Sequence, residues 1–242
     1  MRGAGNNDNG GAPARHMKLI IFDCDGTLVD SQHNIARAMR MAFEAHGVPF
    51  PGERAVREVI GLSLPEAMAP LAPGASPEMV NRLSDAYREA FFALRHDPDF
   101  HEPLFPGARQ AIMELHSRPD VLLGIATGKA RRGLDALLER FSLGHCFATT
   151  QTADDAPSKP HPEMVLRALG ETGLGPRDAV LVGDTTHDMQ MAANAGIGAI
   201  GVAWGYHPPE RQRAAGALHI AETFDEIPTL AVERLQADIT NA

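Results

Sequence analysis

Cysteine is almost missing from this chain of 242 residues: Cys24 and Cys146 are the only two. That is too few for a disulfide framework and points to a reducing, cytoplasmic setting. Also missing is any run near the roughly 20 apolar residues that cross a bilayer. Met1 to His16 has no apolar run either, which excludes a secretory signal. Rich in Gly, Asn and Ala, residues 1–16 are expected to form a disordered extension, with Met17 as the effective start. The chain has no excess of positive charge; its formal net charge of −9 works against nucleic acid or an anionic membrane as partner. An anionic ligand therefore needs a local cluster of cations. None of the 11 histidines is paired at i, i+4, which removes a zincin-type metal site.

What is present suits a globular α/β protein. Hydrophobic residues make up 44% of the chain, enough for the core of one large domain or two modest ones. Leu19–Phe22, Val121–Ala126 and Ala179–Val182 are short apolar runs ending in polar or glycine-containing turns, and Ile197–Val202 is a fourth, interrupted by Gly198 and Gly201. Runs of this length, separated by helical patterns, read as buried strands of a parallel sheet. Arg131–Phe141 carries Leu134, Leu137, Leu138 and Phe141 at helical spacing. Met189–Ala195 predicts another helix capped by Gly196. The expectation is a Rossmann-like parallel sheet core, with ligands beyond the carboxyl ends of its strands.

Residues 31–103 break this rhythm. Ile35, Met39, Ala42 and Phe43 mark one helical face, and Val80, Leu83, Tyr87, Phe91 and Leu94 mark another. Ser63-Leu64-Pro65-Glu66 reads as a capping box with proline at the first helical position. With no strand candidate of its own, 31–103 is predicted as an inserted helical domain. The core then comprises 17–30 and 104–242, and the proline-rich junction at His101–Pro106 suits a hinge.

The strongest chemical signal is Phe22-Asp23-Cys24-Asp25-Gly26-Thr27, in which a strand delivers two carboxylates at its end. Such neighbours can divide labour, one ionised and one biased toward its protonated form, as a nucleophile beside a general acid/base requires. Asp-x-Asp-Gly alone also suits a calcium loop, but the preceding strand and the lack of a later acidic ligand at EF-hand spacing oppose that. Gly183-Asp184-Thr185-Thr186-His187-Asp188 also follows a strand and opens a helix. Four carboxylates gathered from two strand ends repel one another unless a hard cation such as Mg²⁺ joins them. Ala126-Thr127-Gly128-Lys129 offers a hydroxyl and backbone N–H groups for phosphoryl oxygens at a helix start. Lys159, in a proline-stiffened loop, can balance negative charge near Asp23.

In this order, these motifs resemble those of the haloacid dehalogenase superfamily, over Met17 to about His207. Asp23-x-Asp25-Gly26-Thr27 resembles its first motif, Thr127 the second, Lys159 the third and Gly183-Asp184-x-x-x-Asp188 the fourth. The helical insert resembles the family's alpha-helical cap. The chain looks most like the phosphoglycolate phosphatase-type branch, including Ala126-Thr127-Gly128-Lys129 and the Trp204-Gly205-Tyr206 turn. The resemblance implies a Mg²⁺-dependent phosphatase of a small phosphorylated metabolite, monomeric or homodimeric. Asp23 is then the nucleophile and Asp25 the acid/base. Mg²⁺ is held by Asp23, the Asp25 backbone carbonyl and Asp184, with Asp188 in support, while Thr127, Gly128 and Lys159 hold the transferring group. Phosphoglycolate leads as substrate; sugar phosphates, nucleotides and pyrophosphate follow. A phosphomutase resembling beta-phosphoglucomutase uses the same residues and is the enzymatic rival, and a phosphate-sensing module is the non-catalytic one. Phosphonate hydrolysis needs an imine-forming cap lysine, and 31–103 has no lysine.

Other residues read as ordinary. Cys24 should point into the core. Arg131 and Arg132 read as a solvated helix face, and His161 and His187 as solvent-facing flanks of the site. Tyr87, Phe91 and Phe92 read as cap core, Trp204 and Tyr206 as packing for the turn after the last strand. Gly61-Leu62-Ser63 is a candidate substrate-facing turn.

Overall fold

The computed structural model describes residues 16–240, with side chains described to Leu235. The expected N-terminal extension therefore lies outside the described residues, apart from His16, whose ring contacts Asp178. Six parallel strands form one sheet: β1 (Lys18–Phe22), β2 (Val121–Ala126), β3 (Thr149–Gln151), β4 (Ala179–Gly183), β5 (Gly198–Val202) and β6 (His219–Ala221), in the order β3-β2-β1-β4-β5-β6. The α/β expectation holds.

The central strand shows why its apolar run is continuous. Ile20 pairs with Leu123 on one side and Val180 on the other. Its alternate side chains enter two separate cores. Ile20 and Phe22 join Ile112, Leu134 and Leu235 on one face of the sheet, while Leu19 and Ile21 join Met164, Val165 and Met189 on the other. A strand covered on both faces has no polar side. The helices supplying these layers are α5 (Ala108–His116), α6 (Arg131–Phe141) and α10 (Ile227–Thr240) against the first, and α7 (Glu163–Thr172) and α8 (Thr186–Asn194) against the second; α9 (Pro209–Ala214) packs beside β5. The chain steps outward from β1 through β2 to β3, then returns to place β4 on the other side of β1. This makes the carboxyl ends of β1 and β4 the topological switch point, where such sheets bind ligands.

Between β1 and α5 lie four helices and no named strand: α1 (Gln32–Ala45), α2 (Glu53–Val59), α3 (Leu64–Leu71) and α4 (Pro77–Leu94). They close around their own cluster of Met39, Phe43, Met68 and Leu83. The two connections to the sheet run side by side: Asp30 N–H donates to the Pro103 carbonyl at 3.0 Å, and Phe105 N–H to Leu28 at 3.0 Å.

Several local expectations need correction. β3 and β6 were not foreseen; both are three-residue edge strands without an apolar run of strand length. Trp204 and Tyr206 therefore follow β5, which is not the last strand. α8 opens at Thr186, three residues before the predicted Met189, because Thr185 and Asp188 form the capping box. Gly196, at φ 74°, still closes the chain beyond it, where a left-handed residue suits glycine. At α3, Pro65 is the second helical residue, and Ser63 pairs with the Glu66 carboxylate instead of capping a backbone N–H. Phe92 is not core: one residue past Phe91, it turns away around the helix, is 44% exposed, and lies 4.2 Å beneath the Arg132 guanidinium. No helix among the described residues is long and apolar enough to cross a membrane.

Candidate active site

β1 ends at Phe22 and β4 at Gly183, so adjacent strands deliver Asp23 and Asp184 side by side. The Asp23 N–H continues the ladder by donating to Val182 at 2.9 Å. Asp188 arrives from the first turn of α8. Asp23, Asp184 and Asp188 are completely buried, and one carboxylate oxygen from each lies within 4.8 Å of the others. The expectation of four gathered carboxylate side chains is thus corrected to three. Asp25 turns elsewhere, accepting Ser31 Oγ at 2.6 Å and Lys129 Nζ at 2.8 and 3.1 Å. Gly26, at φ 88°, bends the chain immediately after it. A Cβ there would lie 2.3 Å from the Asp184 carboxylate, so only glycine fits.

Charge balance within the trio is incomplete. Lys159 Nζ lies 2.7 Å from Asp23 Oδ1 and 2.6 Å from Asp188 Oδ1, with all three side chains fully buried. Asp188 Oδ2 also accepts Thr185 N–H at 3.0 Å and Thr185 Oγ1 at 2.6 Å. Burial works to raise its pKa, yet Lys159 and these donors bring it below the usual range. Asp184 accepts Thr27 Oγ1 at 3.0 Å and the Tyr206 N–H at 2.8 Å. Burial and the charges of Asp188 and Asp23 nevertheless push it well above the ordinary value. Asp23 is pushed up to about 7, chiefly by burial, with Lys159 opposing and Asp188 reinforcing the rise. Besides Lys159, the neighbouring Cys24 N–H also works to lower it, without offsetting the burial. Three carboxylates against one buried ammonium, in an all-oxygen site, is a donor set that fits a hard divalent cation.

Thr127 follows β2, its N–H bonded to Gln151 at 3.0 Å and its Oγ1 accepting from the Lys129 N–H at 3.2 Å. Gly128 meets the helical segment directly: a Cβ there would stand 2.4 Å from the Gly61 carbonyl oxygen and 2.7 Å from that of Leu62. Ser63 N–H donates to Ser158 Oγ at 2.8 Å, so the 61–63 turn closes onto both the 128 and 158 loops. Lys129, largely buried, holds a strongly raised pKa: burial opposes its charge, but Asp25 and Glu102 outweigh it.

Other side chains fall into place around these. Trp204 Nε1 donates to the Thr27 carbonyl at 3.1 Å and its ring packs 4.6 Å from Phe224. The Tyr206 hydroxyl accepts from the Ser31 N–H at 3.1 Å. Cys24 is buried in the core beneath the site, and burial holds its thiol protonated. Arg131 is no solvated helix residue; it ties down β3 through Thr150 Oγ1 and the Thr150 carbonyl, both at 2.6 Å, and through Asp155. His161 is exposed, whereas His187 is partly buried, 3.3 Å from the Glu58 carbonyl across the cleft. Sequence reasoning quoted Lys129, Thr27 and Thr185 without giving them partners and missed Ser31. For Thr185, the signal was available in Thr185-x-x-Asp188, a capping pattern.

Comparison with known proteins identifies the family of the chain. Residues 20–202 match the model of the haloacid dehalogenase-like hydrolase family. A Dickeya dadantii protein named probable phosphatase IndB is 38% identical, over 86% of this chain and 91% of its own. A phosphoglycolate phosphatase of Pseudomonas putida is 31% identical, over 93% and 79%. The solved structure of a hydrolase from Pseudomonas syringae superposes with a TM-score of 0.79 at 25% identity, covering 90% of this chain and 99% of that one. With its motifs at the ends of β1, β2 and β4 and its sequence matched across the sheet, the chain belongs to the haloacid dehalogenase-like hydrolases, on the side of that family whose members are named phosphatases.

Proposed function

We propose that this protein is a Mg²⁺-dependent phosphatase that hydrolyses a small phosphate monoester through a phosphoaspartate on Asp23, with 31–103 serving as its cap. The observation that carries this reading is the setting of Asp23: a buried carboxylate, fixed by Lys159 on one oxygen, among too many negative charges for the cations present. Asp23, the Asp25 backbone carbonyl and Asp184 would hold Mg²⁺, with Asp188 in support. When bound, the ion neutralises negative charge on the site and on the transferring phosphoryl group.

The chain's own residues perform the rest. An Asp23 oxygen bonds to phosphorus as the ester P–O bond breaks, and Asp25 gives its proton to the leaving oxygen. Asp25 then takes a proton from water, whose oxygen attacks phosphorus and frees Asp23 and inorganic phosphate. Ser31 and Lys129 keep Asp25 aimed through both half-reactions. Thr127, the Gly128 backbone and Lys159 position the phosphoryl oxygens, since phosphoryl transfer is mainly positioning and electrostatics. Phosphoglycolate is the first substrate to assay, because several relatives bear that name. Stoichiometric free phosphate distinguishes hydrolysis from the mutase outcome, which yields an isomerised sugar phosphate.

Stability should report cation binding at these carboxylates. Asp23 and Asp184 both have folded-state pKa values raised above the unfolded ones. Their favourable contribution is complete below the unfolded carboxylate value and is lost as pH rises toward the folded value, about 7 for Asp23. Without divalent ions, Tm is expected to fall between about pH 4 and 7. Mg²⁺ at roughly 100 times its dissociation constant adds about 2.7 kcal/mol, or about 5–10 °C. The gain should be larger at about pH 8 than at about pH 5. Calorimetry showing the same Mg²⁺ shift at both pH values would count against the carboxylate trio as the binding site.

Closure of the helical segment can be tested at Gly128. Gly128→Ala places a methyl against the Gly61 and Leu62 carbonyls and forces the 61–63 turn away. The fold should tolerate this, with kcat/KM lowered about ten- to a hundredfold in steady-state assays.

A further inference from the structure

We infer that the organic part of the substrate is a ring-bearing group of nucleoside size, carrying carbonyl or acid oxygens, rather than a two-carbon acid. This rests on the phosphatase reading above and names the substrate class of that same site. A cavity of about 520 Å³ lies between the helical segment and the sheet, beginning at Asp25, Gly128 and Ser158. That is a normal volume for a pocket that buries most of a drug-sized ligand. The phosphoryl group belongs at the end beside Thr127 and Lys159, so the remaining space faces the alcohol portion of the ester. Its far wall is apolar, built from Ile35 and Met39 of α1 and from Tyr87 and Phe91 of α4. A glycolate unit would leave this wall in contact with water. A planar ring would cover it.

The polar features at the same end point the same way. The Tyr87 and Phe91 rings stand 5.7 Å apart and only 30° from parallel, presenting flat faces of the kind on which another ring stacks. Arg95 lies 5.7 Å from the Phe91 centroid and Arg132 4.2 Å from that of Phe92. Both residues line the cavity. Among the described residues neither has a carboxylate oxygen within 4.0 Å. Glu66 and Asp154 line the same cavity, so its charge is mixed; what Arg95 and Arg132 add, in a chain of net charge −9, is a set of N–H donors for an oxygen-bearing ligand. Since Lys159 already serves the phosphate end, Arg95 and Arg132 are free to donate to a second group, such as ring carbonyl oxygens.

The test compares kcat/KM of the full chain with Mg²⁺ on uridine monophosphate, inosine monophosphate, phosphoglycolate and acetyl phosphate. At least one nucleoside monophosphate should exceed phosphoglycolate by about tenfold or more. The double variant Arg95→Gln/Arg132→Gln should cut that ratio by about tenfold, with an unchanged Tm showing that it is folded. Preference for phosphoglycolate, or a ratio the double variant leaves unmoved, overturns the inference while the phosphatase stands. If all four compounds, acetyl phosphate included, go unhydrolysed, the phosphatase reading falls and takes this inference with it.

Discussion

Asp23→Asn is expected to remove turnover of any phosphate monoester by at least about four orders of magnitude, because an amide oxygen cannot act as the attacking carboxylate. The loss should not come from unfolding. Asp23 is fully buried and pushed up to about 7, so its ionisation at higher pH works against the native state. A neutral amide of nearly the same shape relieves that, and Lys159 keeps Asp188 as its partner at 2.6 Å. Without divalent ions, Tm at about pH 8 should therefore equal or exceed that of the unmodified protein. The stabilisation by Mg²⁺ should shrink in the same variant, because one of its proposed oxygens is gone. Assays of phosphate release with para-nitrophenyl phosphate, run beside thermal scans, read both quantities. Residual activity within about tenfold of normal would remove Asp23 from the chemistry and leave only an acidic patch at a strand end.

The parts of the fold that the sequence disclosed are those where one physical demand dominates. β1, β2 and β4 are sandwiched between two helical layers, so every position must be apolar and the runs stand out. β3 and β6 each add only three residues at the sheet edges, where pairing is set by their neighbours; Thr149 and Thr150 carry no apolar signal. The site divides in the same way. Asp23 and Asp184 were visible because each follows a strand, and parallel pairing of β1 with β4 makes them neighbours. The partner of Asp25 was not visible. Lys129 reaches it from the turn after β2, and nothing in Ala126-Thr127-Gly128-Lys129 states which carboxylate its long side chain will meet across the strand ends. Alternation along a strand would aim Asp23 and Asp25 the same way, but β1 ends at Phe22, and past that point the rule has no force. Phe92 fails for a related reason. Three aromatics over six residues of α4 cannot all face one core, and the one that faces outward meets Arg132.

Lys159→Met should damage stability and catalysis together, which separates it from Asp23→Asn. The ammonium is the only cation within 4.0 Å of Asp23 and Asp188 among the described residues, and all three side chains have no solvent exposure. Removing one partner from such a buried arrangement typically destabilises by about 3–5 kcal/mol, since the remaining charges stay desolvated. For a chain of this size that corresponds to a fall in Tm of about 10 °C. Both carboxylates contribute to the gap. Asp188 is held below its ordinary pKa largely by Lys159; its stabilising contribution, present above the unfolded value, disappears in the variant. Asp23, already raised with Lys159 opposing the rise, moves higher still, so its contribution is lost as pH climbs toward the new folded value. The Asp188 loss is already complete at about pH 5 and widens the Tm gap equally at both ends, whereas the Asp23 effect makes the gap wider at about pH 8 than at about pH 5; saturating Mg²⁺ should narrow it by supplying positive charge to the same oxygens. Turnover should fall about a thousandfold, as expected for removing a fixed charge beside a transferring phosphoryl group. A gap of constant size across that pH range would mean that Lys159 leaves the ionisation of Asp23 untouched, and that the charge balance assigned to this site is wrong.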